Sequence, residues 1–74
     1  MQVLLNEYAK SRDFVKAAEK FDVDIELVSG KYVINAKSQV GIYSLDLSKP
    51  IDVIINAPAE KKAEVEKAFE PFKA

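Results

Sequence analysis

Alternating apolar and polar residues predict two neighbouring strands in the first half of the chain. From Asp22 to Val28 every second residue is apolar, beginning with Val23, and acidic residues fill the positions between them. The alternation resumes at Tyr32, after Gly30, a residue that adopts positive φ without steric cost. A period of two is typical of half-buried strands, so we expect a β-hairpin over these residues.

Two further strands are predicted, one before and one after this hairpin. The β-branched run from Ile51 to Ile55 lies between Pro50 and Pro58, which favours a central strand over a short helix. The N-terminal run Val3-Leu4-Leu5 predicts a shorter strand.

Apolar residues three and four positions apart predict two longer helices between the strands. Pro71 is expected to end or bend the second of them. We expect both apolar stripes to pack against one face of the sheet. A much shorter helix is predicted from Ser38 to Tyr43, with Ser38 as its N-cap. The stripes are Phe14, Ala17, Ala18 and Phe21 in the first helix, and Val65, Ala68, Phe69 and Phe72 in the second.

The resulting element order is β, α, β, β, short α, β, α. It indicates an α+β fold, an open-faced sandwich in which helices cover one face of an antiparallel sheet. Periodicity alone does not separate this fold from ferredoxin-like regulatory domains, which share the βαββαβ order; a sheet order other than 1-4-2-3 would favour those domains. A chain of 74 residues has room for one core, so we expect a single domain over residues 1–74.

The chain contains neither histidine nor cysteine, which limits its chemistry more than any other property of its composition. Without imidazole there is no Ser-His or Cys-His nucleophile and no His-based zinc or phosphohistidine chemistry. The carboxylates Asp22, Asp24 and Glu26 are alternate residues on the outward face of one predicted strand, so they do not form a Ca²⁺ coordination loop. We therefore expect no metal, no cofactor and no enzymatic activity.

Charge and hydropathy favour other proteins as partners. Eleven basic and twelve acidic residues give a formal net charge of -1, so the overall field attracts neither nucleic acid nor an anionic membrane. No run reaches the ~18 apolar residues of a membrane span, and the start lacks the pattern of a signal peptide. We expect a cytoplasmic protein that is a monomer or a weak homodimer.

Two stretches carry a pattern more specific than their periodicity. The segment from Phe21 to Val28 with Gly30-Lys31, and the segment from Asn35 to Leu45 with its Lys-Ser-x-x-Gly-x-x-Ser-Leu core, resemble the HPr family, the phosphocarrier proteins of the bacterial sugar phosphotransferase system. The segments Phe14–Ala18 and Val53–Ala57 resemble that family's first helix and last strand. The resemblance implies an HPr-like open-faced β-sandwich, with four antiparallel strands and three helices on one face.

The resemblance also implies where the family's phosphate-accepting histidine would lie. Counting back from Phe14 without gaps places Glu7 at the histidine position, Ala9 at the arginine position and Lys10 at the proline position, so none of the three is retained. With no histidine, phosphotransfer through histidine is excluded. Three interpretations of Glu7 stay open: a first-turn carboxylate that favours the helix dipole, a fixed charge that imitates the phosphorylated form, or an acyl-phosphate acceptor, against which the loss of the basic residue argues.

Ser38 has one role implied by the resemblance and one that follows from its position. In Gram-positive members of the family the matching serine is phosphorylated by a dedicated kinase, and the product binds a catabolite-control transcription regulator. A related branch keeps this serine and lacks the histidine, as this chain does. Alternatively, Ser38 is only an N-cap, worth ~1 kcal/mol. The family docks partners on the exposed short helix, which here offers Gln39, Val40 and Tyr43, with Ile42 facing inward.

The sequence thus predicts a non-enzymatic HPr-like regulator that binds other proteins. The partners implied by the resemblance are an HPr-type serine kinase, a catabolite regulator or components of the phosphotransferase system. Two alternatives stay open: a divergent structural or interaction module unlinked to phosphotransfer, and a ferredoxin-like domain that senses a small molecule.

Overall fold

A computed structural model describes all 74 residues and contains the predicted elements in the predicted order. The strands are β1 (Gln2–Val3), β2 (Asp24–Ser29), β3 (Tyr32–Asn35) and β4 (Ile51–Asn56), and the helices are α1 (Tyr8–Glu19), α2 (Gln39–Ile42) and α3 (Ala59–Ala68). A 3-10 turn, Glu70–Phe72, follows α3 and contains Pro71. The predicted end of the last helix near this proline is confirmed.

The four strands form one antiparallel sheet in the order β1-β4-β2-β3. This is the 1-4-2-3 order of the predicted HPr-like open-faced sandwich, which is confirmed, and it argues against the ferredoxin-like alternative. The central strands β2 and β4 pair over five positions, with Ile25 opposite Ile55 and Leu27 opposite Val53.

One cluster of fifteen buried hydrophobic residues lies between the sheet and the helices. Successive side chains of a strand point to opposite faces. Ile25 and Leu27 of β2 and the odd-numbered residues of β4 therefore enter this core, while the even-numbered residues of both strands point away from it. The helices contribute Phe14 and Val65, and the residue that follows α3 contributes Phe69; all three are fully buried. The other face of the sheet carries no helix and is called the open face below.

The β2–β3 hairpin turns over two residues, Gly30 and Lys31, between the paired residues Ser29 and Tyr32. Gly30 has a φ of 59°, and no other residue in the chain has a positive φ. A positive φ at only the first central position, filled by glycine, is typical of a type II′ turn, whose twist suits a hairpin. The predicted turn at Gly30 is confirmed.

The first strand is shorter than the predicted Val3-Leu4-Leu5. Only Gln2 and Val3 pair with β4. The Leu4 N–H donates to the Phe72 carbonyl at 2.8 Å, so the chain turns toward the C-terminal segment at this point. Leu5 is fully buried. Leu5 is therefore apolar because it packs in the core and not because it belongs to a strand. The sequence pattern alone could not distinguish these two reasons.

The buried stripe of α1 begins one turn earlier than predicted. The helix buries Ser11, Phe14, Val15 and Ala18, a set with helical spacing, whereas Ala17 and Phe21 are half-buried. Phe21 lies beyond the end of the helix at Glu19. Ser11 was not expected in the core because serine is polar, but its hydroxyl is hydrogen-bonded there, as described below.

Candidate functional site

The first turns of α1 lie beside α2, and the two helices share one surface. The Gln39 Nε2 donates to the Ser11 Oγ at 3.4 Å. The rings of Tyr8 and Tyr43 stack with an interplanar angle of 10° and centroids 6.4 Å apart. The name α1–α2 surface is used below for Tyr8, Arg12, Gln39, Val40 and Tyr43.

This surface groups three exposed apolar side chains. Val40 is 83% exposed, Tyr8 66% and Tyr43 48%, whereas Ile42 is fully buried. The predicted docking residues Val40 and Tyr43 are thus exposed, and the expected inward orientation of Ile42 is confirmed. Aromatic side chains supply much of the energy of protein interfaces. The surface therefore has the chemical character of a docking site.

Tyr8 is a member of this surface that the sequence pattern did not reveal. It is the first residue of α1 and lies outside the buried stripe, so periodicity gave it no role. The guanidinium carbon of Arg12 lies 5.9 Å from the centroid of the Tyr8 ring, within the range of a cation–π interaction. Arg12 Nε is also 3.2 Å from Asp13 Oδ1. The surface consequently places a cation beside its aromatic pair.

Gln39 has a different role from its neighbour Val40. It is half-buried, and its amide joins α2 to the Ser11 hydroxyl, which itself donates to the Tyr8 carbonyl at 2.9 Å. Ser11 is fully buried, and this pair of hydrogen bonds satisfies its hydroxyl. Gln39 therefore has a structural role, because its amide helps to hold α2 against α1.

Ser38 caps α2, as predicted. Its Oγ accepts a hydrogen bond from the Gly41 N–H at 3.0 Å, and its carbonyl accepts from the Ile42 N–H at 3.1 Å. A Cβ at Gly41 would lie only 3.1 Å from the Ser38 Oγ, so glycine leaves room for the capping hydroxyl. Ser38 is half-buried. The capping role is a feature of the structure; phosphorylation is a separate proposal.

Glu7 lies one position earlier than a first-turn carboxylate would. It has extended backbone angles, φ -128° and ψ 145°, and is the N-cap residue of α1. Its carbonyl accepts from the Ser11 N–H at 3.1 Å, but its side chain makes no capping hydrogen bond. The first turn of α1 contains no acidic residue. The first-turn interpretation of Glu7 is therefore wrong in position, and its carboxylate stands exposed at the start of the helix.

The loop that follows α2 contains a carboxylate with an altered pKa. The Ser48 hydroxyl donates to Asp46 Oδ1 at 2.6 Å and the Ser48 N–H donates to the same atom at 3.1 Å. These two hydrogen bonds, with a smaller contribution from the Lys49 ammonium, lower the pKa of Asp46. Both hydrogen bonds are local to the loop that connects α2 to β4.

Metal-ligating side chains are not brought together anywhere in the chain, since no group of three or more His, Cys, Asp or Glu residues is placed to hold an ion.

The longest helix, α1, has 12 residues, and none of the helices has the length and apolar character needed to cross a bilayer.

Comparison with protein families places the chain in a known one. A family model described as the PTS HPr component phosphorylation site matches residues 9–73. Because the match spans nearly the whole chain and the sheet order is that of the expected fold, this chain belongs to the HPr family. The resemblance seen in the sequence is thereby confirmed.

Solved structures of HPr and Crh proteins share the fold. HPr-C-His from Thermoanaerobacter tengcongensis is 26% identical with a TM-score of 0.74, over 92% of this chain and 80% of that one. The phosphocarrier protein HPr from Bacillus anthracis is 25% identical with a TM-score of 0.64, over 92% and 89% of the two chains. Crh from Bacillus subtilis, a domain-swapped dimer, is 22% identical with a TM-score of 0.69, over 100% and 88%.

Proposed function

We propose that this chain is a non-enzymatic, cytoplasmic member of the HPr family that regulates by binding other proteins and does not carry phosphate on histidine. The observation that carries the proposal is the absence of histidine from a chain with the family's fold. In the ungapped count the family's histidine position holds Glu7, whose exposed carboxylate supplies a fixed negative charge at the start of α1.

The α1–α2 surface is the proposed docking site. Three exposed apolar side chains, Val40, Tyr8 and Tyr43, lie on two helices whose relative position is fixed by the Gln39–Ser11 hydrogen bond. A surface that is ordered before binding loses less entropy on association. Candidate partners are an HPr-type serine kinase, a catabolite regulator and components of the phosphotransferase system.

Ser38 is the proposed site of regulatory phosphorylation. A phosphoryl group adds about -1.5 to -2 charge at neutral pH and is tolerated at a helix N-terminus, where the dipole is positive. Its oxygens can accept from the Gly41 N–H in place of the present hydroxyl. Phosphorylation would then add a charge for an Arg-bearing partner beside Val40 without unfolding α2.

A divergent interaction module unlinked to phosphotransfer is the second candidate. It is favoured by one observation: in the ungapped count Glu7, Ala9 and Lys10 replace all three residues of the family's histidine motif. In that case the α1–α2 surface would bind a partner regardless of the state of Ser38.

Intact mass after two incubations tests these candidates. One incubation contains phosphoenolpyruvate and the general phosphotransferase enzyme, and the other contains ATP and an HPr-type serine kinase. We expect a single phosphate in the ATP reaction only, located on Ser38 by peptide mapping. Ser38→Ala should abolish it, whereas Ser44→Ala, a serine at the C-terminal side of the same helix, should not. No phosphate in either reaction favours the second candidate, and phosphate from phosphoenolpyruvate would overturn the proposal.

Val40→Glu tests the docking surface. Val40 is 83% exposed, so the variant should fold, and a buried carboxylate at the contact should weaken binding of the kinase at least tenfold, on the order of 1.4 kcal/mol. Ala63→Glu on α3 is the matched control, since Ala63 is exposed on a helix outside this surface. Equal binding of both variants would place the docking site elsewhere.

A further inference from the structure

The open face of the sheet is a second surface with a composition of its own. Strand register places three carboxylates there, Asp24, Glu26 and Asp52, and three aliphatic side chains, Val28, Val33 and Ile54. Val28 lies opposite both Val33 and Asp52, and Ile54 lies opposite Glu26. Val33 is 57% exposed and Ile54 43%, so these aliphatic groups meet water in the free protein.

No lysine or arginine lies among the side chains of this face. Its remaining positions are amides, two of which donate to the carboxylates: Gln2 Nε2 to Asp52 Oδ1 at 3.0 Å and Asn56 Nδ2 to Glu26 Oε1 at 3.3 Å. The chain as a whole has eleven basic residues and a net charge of only -1. The open face is therefore more negative than the chain as a whole, and none of its carboxylates forms an ion pair.

A shallow depression of about 240 Å³ lies on this side of the sheet, between β2 and β3. Its polar lining comes from Asp24, Glu26, Asn35 and Asn56. Sites for small organic ligands are usually ~300–1,000 Å³, so the depression is smaller than such a site. Two carboxylates and two amides instead match the donors of a single ammonium or guanidinium group.

A second copy of the chain does not suit the face in a symmetric dimer. Face-to-face pairing about a two-fold axis would bring the three carboxylates of each copy against those of the other, and like charges placed opposite each other are destabilising. Nucleic acids and anionic membranes are repelled for the same reason. The remaining complementary partner is a protein segment that carries both cationic and aliphatic side chains.

The area of the face indicates how such a partner binds. The four strands contain 2, 6, 4 and 6 residues. At ~3.4 Å per residue and ~4.8 Å between strands they cover about 290 Å², roughly a third of the ~800 Å² per partner in a stable complex. Contact confined to this face is therefore expected to be weak and transient.

The geometry points to the open face as a docking surface for a basic amphipathic segment of another protein, with a Lys or Arg side chain in the depression beside Asp24 and Glu26 and aliphatic side chains against Val33 and Ile54. This surface lies on the opposite side of the sheet from α1 and α2. The inference does not depend on the proposed function, and neither the state of Ser38 nor the α1–α2 surface enters its test.

The test is an NMR titration of the isotope-labelled chain with a synthetic peptide of lysine and leucine at helical spacing. We expect shifts in the amides of β2, β3 and β4 that saturate, and an affinity that falls as salt rises from about 0.05 to 0.5 M, because exposed charges are screened. Glu26→Lys should weaken binding at least about tenfold. Asp24→Asn should also weaken binding. Asparagine has nearly the same size as aspartate and Asp24 is exposed, so this variant should fold even if Glu26→Lys does not.

Glu64→Lys is the matched control, because Glu64 is an exposed carboxylate on α3 and the change of charge is the same. Its affinity should stay within about twofold of the original. An equal loss in Glu64→Lys and Glu26→Lys, shifts centred on the helices, or no saturable shifts would each overturn the proposal. Open-face shifts that depend on protein concentration without peptide would overturn it as well, because they would assign the face to a second copy.

Discussion

The Gln39 Nε2 donates to the buried Ser11 Oγ, and this is the one side-chain hydrogen bond that joins α2 to α1. Helix α2 has only four residues, too few to be stable alone. Its position depends on this bond, on its Ser38 cap and on the burial of Ile42. The exposed residues of the proposed docking surface are therefore held in place by polar contacts beneath them.

The Ser11–Gln39 contact should contribute measurably to stability. Ser11→Ala removes both the acceptor of Gln39 and the donor to the Tyr8 carbonyl. We expect the free energy of unfolding to fall by about 1–2 kcal/mol, because the usual net value of one hydrogen bond is about 1 kcal/mol. Amide exchange at Gly41 and Ile42 should quicken because α2 loses its link to α1. Urea unfolding and hydrogen exchange measure the two effects.

A double-mutant cycle with Gln39→Ala isolates this contact. If the bond is formed in solution, the two losses should not add, and the coupling should be roughly 0.5 kcal/mol or more. Additive losses would show that Ser11 and Gln39 act independently, and the position of α2 would then depend on the Tyr8–Tyr43 stack and the burial of Ile42.

The elements of the fold that have a local pattern in the sequence were predictable. Strand alternation, helical stripes and the single turn glycine each follow from a local rule, and the order of elements limits the topology. The end of β1 was not predictable, because Leu4 pairs with Phe72 in a segment nearly seventy residues away. The burial of Ser11 was hidden for a similar reason, since its partner Gln39 lies 28 residues further along the chain.

Gly30→Ala should destabilise the β2–β3 hairpin. The φ of Gly30 is 59°, and a residue with a Cβ pays about 1–2 kcal/mol to adopt it. No atom lies within 4 Å of a Cβ placed there, so the cost is one of backbone conformation and not of a clash. We expect the loss in urea unfolding. Gly30→Asn should also be destabilising, because the first central position of a type II′ turn lies in the mirror-β region, which glycine populates readily and residues with a Cβ do not.

Lys31→Ala is the control for the hairpin, since Lys31 occupies the second turn position with negative φ. Its free energy of unfolding should stay within about 0.5 kcal/mol of the original. If Gly30→Ala were equally neutral, the type II′ geometry of the turn would be wrong.

Asp46 should titrate below its ordinary range, because the Ser48 hydroxyl and N–H donate to its ionised form. A carboxyl whose folded pKa is lowered stabilises the fold above its unfolded pKa of about 3.9, and this contribution is lost as pH falls through the folded pKa. An NMR titration of the Asp46 side chain should thus show a lowered midpoint.

Ser48→Ala removes the strongest of these hydrogen bonds. The pKa of Asp46 should rise toward its ordinary value, and the stability difference from the original chain should disappear at pH values below both pKa values. Ser44→Ala should leave the titration unchanged, because the Ser44 hydroxyl donates to the Gly41 carbonyl and not to Asp46. An unchanged midpoint in Ser48→Ala would contradict the assigned cause.

The candidate site was predictable only in part, and for a physical reason. Ser38 and the exposed positions of α2 followed from a capping pattern and from the family resemblance, both of which are local in sequence. Tyr8 was missed because its stacking partner, Tyr43, lies at the end of another helix, as the C-cap of α2. A surface formed by two segments distant in sequence leaves no periodic signal in either of them.

Phe14 should be the residue on which the stability of this small core depends most. It is fully buried, with the Phe69 ring 4.5 Å away and the Phe72 ring 5.5 Å away at nearly a right angle. Phe14→Ala should cost about 3–5 kcal/mol, as much as a domain of this size is expected to have in total. Circular dichroism should therefore show a largely unfolded chain.

Phe14→Leu and Phe72→Ala separate loss of packing from loss of one particular aromatic contact. Leucine keeps most of the buried volume, so Phe14→Leu should stay folded with a lowered urea midpoint. Phe72 is only half-buried, and Phe72→Ala should cost clearly less than Phe14→Ala. If Phe14→Ala unfolded cooperatively with a loss below about 1 kcal/mol, the core would relax around the cavity, and the cluster of Phe14, Phe69 and Phe72 would not be what holds α1 to the C-terminal segment.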